Sequence, residues 1–288
     1  TVECWGDSLE SSWNPEYGPT RPTQPPSGTF KSINVFGIRV CGIRTDDTLA
    51  CWGMNFAGEL TPPSGTFKSV ELSSDFFCGI RTDDTLTCWG DDSWGQLRSP
   101  SGTFTSIDLG AQAGCGLRTD GHVVCWGVGG WGRASPPEGR VKSLATAFDG
   151  FQGGQVCYIR TDDTVGCFGQ WASFATEPSG PFLSISASYA YACGVKTART
   201  LSCWEDDGVP APTEAPPSGQ FESVAVGPSF GCAIRSDGTV ACWGNDAEGQ
   251  TTPPSGRFTM LAAGHAHACG IQVGGTLTCW GSNDFGQL

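Results

Sequence analysis

Paired cysteines constrain this chain more than any other feature. Fourteen of its 15 cysteines form seven pairs, and the two members of every pair are ten residues apart. Each pair lies in one recurring string, which reads CGIRTDDTLACWG at 41–53 and CGIRTDDTLTCWG at 78–90. The pairs are Cys41 with Cys51, Cys78 with Cys88, Cys115 with Cys125, Cys157 with Cys167, Cys193 with Cys203, Cys232 with Cys242, and Cys269 with Cys279. Seven copies of one short unit predict a repeat architecture, in which neighbouring copies bury their apolar faces against each other.

The ten-residue spacing predicts a disulfide across each hairpin. If Thr45-Asp46-Asp47 forms a three-residue loop, Cys41 and Cys51 are directly opposed, with Cα atoms about 4.5–5.5 Å apart. The last residue of such a loop adopts a left-handed conformation, which Gly accepts freely and Asp tolerates. That position holds Gly121, Gly238, Gly275, Asp47, Asp84, Asp163 and, as the exception, Arg199.

Zinc binding is the alternative use of these cysteines, but zinc sites need closer spacing and nearby histidines. We therefore expect no metal site built from cysteine. Seven disulfides indicate an oxidising compartment, so we expect a secreted or extracellular cell-surface protein.

Between the cysteine strings runs a second motif, PPSGTFKSI at 25–33, which recurs with small changes. Short alternating runs punctuated by Gly and Pro predict an all-β chain with about four strands per repeat. We expect one domain, 1–288, because closed all-β folds reach this length. Its full units are 27–60, 64–97, 101–134, 138–174, 179–214, 218–251 and 255–288, and 1–26 is a partial leading repeat with a ten-residue loop insertion. Cys4, in TVECWG, is left unpaired or bonded to a cysteine outside this sequence.

The cysteine string, a following Gly-Gln as in Gly95-Gln96, and PPSGTF together resemble the regulator of chromosome condensation repeat family. The resemblance covers essentially the whole chain and implies a seven-bladed β-propeller, with one cross-strand hairpin disulfide per blade. The disulfide-rich form is similar to crinkly-type receptor ectodomains and to a secreted beta-lactamase inhibitor propeller. The exchange-factor activity of the nuclear member is not expected here, because that protein acts on an intracellular partner in a reducing compartment.

Net charge is −13, which excludes nucleic acid as an expected partner because phosphate binding depends on Lys and Arg. The acidic surface serves solubility or selects a basic partner. The sequence contains no apolar run of about 18 residues, so no transmembrane helix is expected.

Binding residues are expected at the end of the blades where loop length varies. The insertions lie within 7–24, within 145–154 and after Trp204. Aromatic residues near these loops are binding candidates: Trp13, Tyr17, Phe56, Trp94, Trp131, Trp171 and Phe285. The alternative is that they pack beneath the loops. The tryptophans of the CWG strings are expected to pack between blades: Trp5, Trp52, Trp89, Trp126, Trp204, Trp243 and Trp280.

No catalytic residues and no cofactor are predicted. The Asp pairs at 46/47, 83/84 and 162/163 serve as turn residues or, as an alternative, hold calcium. His265 and His267 are interpreted as structural, and His122 replaces a Thr after a turn glycine.

The sequence therefore predicts a non-enzymatic extracellular protein-interaction propeller: a receptor ectodomain, inhibitor or adhesion module. Its expected partner is another protein or an extracellular polymer. Further copies of this chain, or an upstream segment of a longer chain, are also candidates. One alternative is a structural subunit of a sheath, wall or filament assembled through its termini. The other is a propeller lyase or hydrolase, although no nucleophile, base and orienting acid come together in the sequence.

Overall fold

The computed structural model describes residues 30–36, 39–53, 55, 57–110, 112–127, 136–149, 153–169, 178–188, 191–205 and 215–282. These residues form 21 strands, which pair as seven three-stranded antiparallel sheets in simple sequence order. Each sheet is one blade of the propeller, numbered from the N-terminus. The structure confirms the all-β class and the seven-bladed repeat.

The strands of blades 1 to 3 are β1 (Phe30–Phe36), β2 (Arg39–Arg44), β3 (Leu49–Gly53), β4 (Phe67–Leu72), β5 (Phe76–Arg81), β6 (Leu86–Gly90), β7 (Phe104–Leu109), β8 (Ala113–Arg118) and β9 (Val123–Gly127). Those of blades 4 and 5 are β10 (Val141–Asp149), β11 (Gly153–Arg160), β12 (Val165–Gly169), β13 (Phe182–Ser188), β14 (Tyr191–Lys196) and β15 (Leu201–Glu205). Blades 6 and 7 hold β16 (Phe221–Val226), β17 (Phe230–Arg235), β18 (Val240–Gly244), β19 (Phe258–Ala263), β20 (His267–Gln272) and β21 (Leu277–Gly281).

Each cysteine pair joins the second and third strands of its blade. The two cysteines are directly opposed in the register, and their Cα atoms lie 4.0 to 4.1 Å apart, which is shorter than the expected separation of about 4.5–5.5 Å. All seven predicted disulfides form: Cys41 with Cys51, Cys78 with Cys88, Cys115 with Cys125, Cys157 with Cys167, Cys193 with Cys203, Cys232 with Cys242, and Cys269 with Cys279. The predicted hairpin disulfide in every blade is therefore confirmed.

The two halves of each disulfide differ in burial. The first cysteine, on the second strand, is buried in blades 1 to 6. The second cysteine, on the third strand, is partly exposed in every blade: Cys51, Cys88, Cys125, Cys167, Cys203, Cys242 and Cys279. In blades 1 to 6 the disulfide thus joins the more exposed third strand to a buried residue of the second strand.

The hairpin tips have the predicted three-residue loops. In blade 1, the Arg44 N–H donates to the Thr48 carbonyl and the Asp47 N–H donates to the Arg44 carbonyl. The third loop residue is left-handed throughout, with φ of 69° at Asp47 and 88° at Gly121. Even Arg199, the residue least suited to this region, has φ of 63°.

The PPSGTF motif and the Arg of the cysteine string form one contact. In blade 2, the Arg81 guanidinium lies over the Phe67 ring at 4.8 Å, and Arg81 Nη1 donates to the Ser64 carbonyl at 3.0 Å. Gly79, directly behind, has no side chain because a Cβ there would lie 2.7 Å from Cδ1 of Phe67. The two motifs recur together in blades 1 to 3 because each Phe is held there between the Gly and the Arg of its own blade.

Apolar cores lie between consecutive blades among blades 1 to 3 and among blades 4 to 7. Phe76, Cys78 and Ile80 of blade 2 pack against Phe104 and other residues of blade 3. Burying one such Phe completely contributes about 2–3 kcal/mol. Trp89 and Trp243 belong to these cores and are 8% and 2% exposed. Trp126, Trp204 and Trp280 are buried in these cores as well, so the tryptophans of blades 2, 3, 5, 6 and 7 pack between blades, as predicted. Trp52 is buried beside Phe30 of its own blade, and Trp5 lies outside the described residues.

Contacts between residues divide the chain into two compact units. The first carries blades 1 to 3, and the second begins at Val141 and carries blades 4 to 7. The boundaries expected for the single domain and its seven units stay a prediction. The fourth strand expected in each repeat is a tight turn in blades 1, 2 and 6, because Gly58, Gly95 and Gly249 take φ of 74° to 88° there.

Candidate interaction surface

Three described turns follow the third strand of a blade: residues 57–61, 91–98 and 245–252. We call them the outer turns. Each has one buried polar side chain directly after its left-handed glycine: Glu59 and Gln96 are 0% exposed and Gln250 is 2% exposed. The rest of each turn is organised around that side chain.

The outer turn of blade 2 is held by a closed set of hydrogen bonds. Gln96 Oε1 accepts from the Trp94 N–H at 2.8 Å, and Gln96 Nε2 donates to Asp91 Oδ2 at 3.1 Å. The other oxygen of Asp91 accepts from the Ser93 hydroxyl at 2.6 Å. These bonds, led by that of Ser93, hold the pKa of Asp91 below its ordinary value. These hydrogen bonds therefore fix the conformation of the turn and favour the ionised form of Asp91.

Each outer turn is also bonded to the next blade. The Trp126 indole N–H of blade 3 donates to the Gln96 carbonyl at 3.0 Å. Trp89 donates to the Glu59 carbonyl at 2.8 Å, and Trp280 donates to the Gln250 carbonyl at 3.0 Å. The Gly-Gln of the sequence is thus an anchor for the tryptophan of the following repeat.

The outer turn of blade 6 has the same geometry. Gln250 Oε1 accepts from the Glu248 N–H at 2.8 Å, and Asp246 Oδ1 accepts from the Thr251 N–H at 2.8 Å. The residue before the left-handed glycine differs among the turns: it is Ala57, Trp94 or Glu248. This position is exposed in blades 1, 2 and 6, and only its backbone takes part in the turn.

Trp94 is the one predicted binding residue that falls within the described chain. Its side chain is 53% exposed, whereas the described CWG tryptophans are buried. The other candidates, Trp13, Tyr17, Phe56, Trp131, Trp171 and Phe285, lie outside the described residues, as does Cys4. Trp94 does not pack beneath its loop, since the buried side chain of that turn is Gln96.

The Asp pairs at the hairpin tips are used within the tips. Asp46 Oδ1 accepts from both the backbone and the hydroxyl of Thr48, at 3.0 and 2.7 Å, and the hydroxyl bond is the main cause of its lowered pKa. Asp47 pairs with Lys31 of the same blade. Across the part of the chain that the structure describes, no three His, Cys, Asp or Glu side chains are grouped to hold a metal ion.

Two polar arrangements escaped the sequence interpretation. Arg39 Nη2 lies 3.1 Å from Glu59 Oε1, and both side chains are buried, so blade 1 contains a buried ion pair. Asn34 of β1 donates to Glu71 of β4 at 2.8 Å. A column-by-column comparison of the repeats would have found them. Glu59 stands where other repeats carry Gln, and the other three residues stand where most repeats carry an apolar or small residue.

The histidines have no shared site. His122 Nδ1 lies 3.1 Å from Asp120 Oδ1 at an exposed hairpin tip. His267 begins β20, at the opposite end of its blade, and burial lowers its pKa. Burial thus favours the neutral form of His267.

The described residues include no helix with the length and hydrophobicity needed to cross a membrane. The regulator of chromosome condensation repeat profile matches residues 221–250. Curated protein sequences include no match.

Solved structures extend the likeness to the whole repeat array. The CRINKLY WD40 ectodomain of the Arabidopsis thaliana receptor kinase ACR4 is 26% identical, with a TM-score of 0.66 over 86% of this chain and 92% of that one. The entire ectodomain of the Physcomitrella patens receptor kinase CR4 is 23% identical, with a TM-score of 0.62 over 89% and 75%. Human WBSCR16 shares the fold at 14% identity, with a TM-score of 0.65 over 93% and 98%.

These findings confirm the resemblance to the regulator of chromosome condensation repeats in their disulfide-rich form. They also confirm the propeller fold, and receptor ectodomains are among the propellers that the chain resembles.

Proposed function

We propose that this chain is a non-enzymatic extracellular interaction module that binds a protein partner at the outer-turn end of its blades, with Trp94 as an anchor. The observation that carries the proposal is a half-exposed Trp on a turn that is fixed from beneath. Tryptophan is enriched among the residues that dominate binding energy, and a rigid support reduces the entropy lost on binding.

The turn separates support from recognition. Gln96 and Asp91 hold the backbone, and Trp126 of the next blade bonds the turn from beneath. The indole of Trp94 is not among those bonds, since only its backbone N–H takes part. Because the fold of the turn does not depend on the Trp94 side chain, that side chain is available to contact a partner.

The setting supports an extracellular partner. Seven disulfides require an oxidising compartment during maturation. The propellers of ACR4 and CR4 are receptor ectodomains. Against an enzyme, His122 pairs with Asp120 at an exposed hairpin tip, and His267 lies at the opposite end of its own blade.

Affinity capture from the extracellular fraction of the source organism tests the proposal. The full chain is immobilised as wild type, Trp94→Glu and Glu248→Gln. Trp94→Glu places in blade 2 the residue that blade 6 already carries in the same turn, so the fold should tolerate it. We expect the proteins retained by wild type to be lost with Trp94→Glu and kept with Glu248→Gln.

Thermal unfolding of the three proteins provides the control, because equal melting temperatures exclude misfolding as the cause of lost capture. Retention that is the same for wild type and Trp94→Glu would contradict the assignment of the surface. No retained protein in any arm would contradict the interaction module itself.

A further inference from the structure

Three consecutive first strands carry a polar residue at the same position. Asn34 of β1, Glu71 of β4 and Asp108 of β7 stand opposite the first cysteine of their blades, namely Cys41, Cys78 and Cys115. The position is occupied by Ser186 in β13, by Ala225 in β16 and by Ala262 in β19. The polar row is therefore a property of blades 1 to 3.

The row bridges neighbouring blades. Asn34 Nδ2 donates to Glu71 Oε2 at 2.8 Å and is also 3.2 Å from the Val70 carbonyl. One amide of blade 1 thus holds both the backbone and the carboxyl of blade 2. The strands in question, β1 with β4 and β4 with β7, are in contact.

Glu71 is placed where a negative charge is costly. Its carboxyl is largely buried, which is the main reason that its pKa rises from 4.5 to about 7. The like charge of Asp108 on β7 raises it further, and the Asn34 hydrogen bond from β1 only partly opposes this. Among the described groups that act on the Glu71 carboxyl there is no lysine or arginine.

We propose that Asn34, Glu71 and Asp108 form a proton-operated lock between the first three blades. With Glu71 protonated, the like-charge repulsion from Asp108 is absent, and the blades stay closely packed. When Glu71 releases its proton to solvent, its charge is repelled by that of Asp108 on the contacting strand, and this repulsion opposes the packing of β4 against β7. The lock makes the stability of the packing among blades 1 to 3 depend on the pH of the medium.

Blades 4 to 7 provide the internal comparison. There the Ser186 hydroxyl accepts from the Val226 N–H at 3.2 Å, so a neutral bond joins β13 to β16. A hydroxyl does not titrate near neutrality, and this contact should be equally firm in acidic and neutral media. The inference does not rest on the proposed function, since it concerns the first strands and not Trp94.

Hydrogen exchange of the full chain, followed by mass spectrometry from pH 4.5 to pH 8 and corrected for intrinsic rates, tests the lock. We expect protection of amides in β4 and β7 to fall as pH rises through about 7, by up to about 300-fold for a shift of this size. Protection in β16 should stay constant. Glu71→Gln, which is neutral at every pH, should keep β4 and β7 protected throughout, and Asp108→Asn should move the fall to lower pH.

Glu222→Gln is the matched control, because Glu222 is an exposed carboxylate of β16 and should leave the pH response of β4 unchanged. Carbon-13 NMR of the wild-type Glu71 carboxyl gives a second readout that needs no variant, with an expected midpoint near 7. A midpoint near 4.5, protection in β4 that is independent of pH, or an unchanged response in Glu71→Gln would each overturn the lock.

Discussion

Blades 1 to 3 and blades 4 to 7 have the same three-stranded backbone arrangement but differ in their polar side chains. Both regions have the hairpin disulfides and the left-handed tip residue, and a Phe begins the first strand of every blade except blade 4, where Val141 takes its place. The first region adds a buried ion pair, a titratable row and an exposed Trp on an outer turn. At the described positions that correspond, the second region has Gln250, Ser186 and Glu248.

The difference shows which positions the fold uses. Cys, Phe and the CWG Trp recur because each packs in a space that the neighbouring strand or blade defines. Gly recurs where a Cβ would clash with such a side chain. Positions outside that set, such as the residue before the glycine of an outer turn, vary between Ala57, Trp94 and Glu248 without a change in geometry. Function is expected where the scaffold leaves such freedom.

The largest effect is expected at the buried ion pair of blade 1. Arg39→Phe, which copies Phe76 of blade 2, leaves the carboxyl of Glu59 buried without its partner and should cost about 3–5 kcal/mol. The double variant Arg39→Phe/Glu59→Gln copies both residues of blade 2 and should return to within about 1 kcal/mol of wild type. Chemical denaturation measures both.

The exposed pair Arg199–Glu222 is the control from the second region. Its side chains are 42% and 47% exposed, so solvent screens the charges and Glu222→Gln should cost less than about 1 kcal/mol. Equal costs at the buried and exposed pairs would contradict the distinction between the two regions.

The second effect in size is the pH dependence that Glu71 imposes on stability. An acid whose pKa is raised on folding stabilises the protein below its unfolded value, 4.5, and loses that contribution as pH rises through about 7. The free energy of unfolding should fall by up to about 3 kcal/mol between about pH 4.5 and pH 8. The tip aspartates do not mask this change, because their pKa values lie below 3.8.

Urea denaturation at a series of pH values measures the change, with Glu71→Gln as the comparison. The difference in stability between the two proteins should grow towards neutral pH. A constant difference would show that Glu71 does not titrate in this range.

A smaller and equal effect is expected at the hairpin tips of both regions. Gly121 has φ of 88° and Gly238 has φ of 87°, and a Cβ would lie 3.1 and 3.2 Å from the Cβ of Arg140 and Arg257. Gly121→Ala and Gly238→Ala should each destabilise the protein by about 1–2 kcal/mol. Unequal losses in thermal unfolding would show that the two regions do not share one scaffold.

The sequence alone predicts most of this scaffold. The cysteine spacing determines hairpin register, and the Gly or Asp at the third loop position determines tip conformation. The buried polar contacts could not be predicted in the same way, because Asn34 and Glu71 are 37 residues apart and meet only after blades pack. Trp94 was identifiable as a candidate, but its exposure depends on Gln96, whose burial no local pattern reveals.

The central claim is that the partner contacts the outer turn of blade 2, and hydroxyl-radical footprinting tests it directly. The full chain is labelled alone and with the extracellular proteins that it captures, and protection is compared at 91–98 and at 245–252. We expect Trp94 and its neighbours to become protected while the geometrically matched turn of blade 6 is unchanged. Protection at 245–252, or at the hairpin tips, with Trp94 still reactive would contradict it.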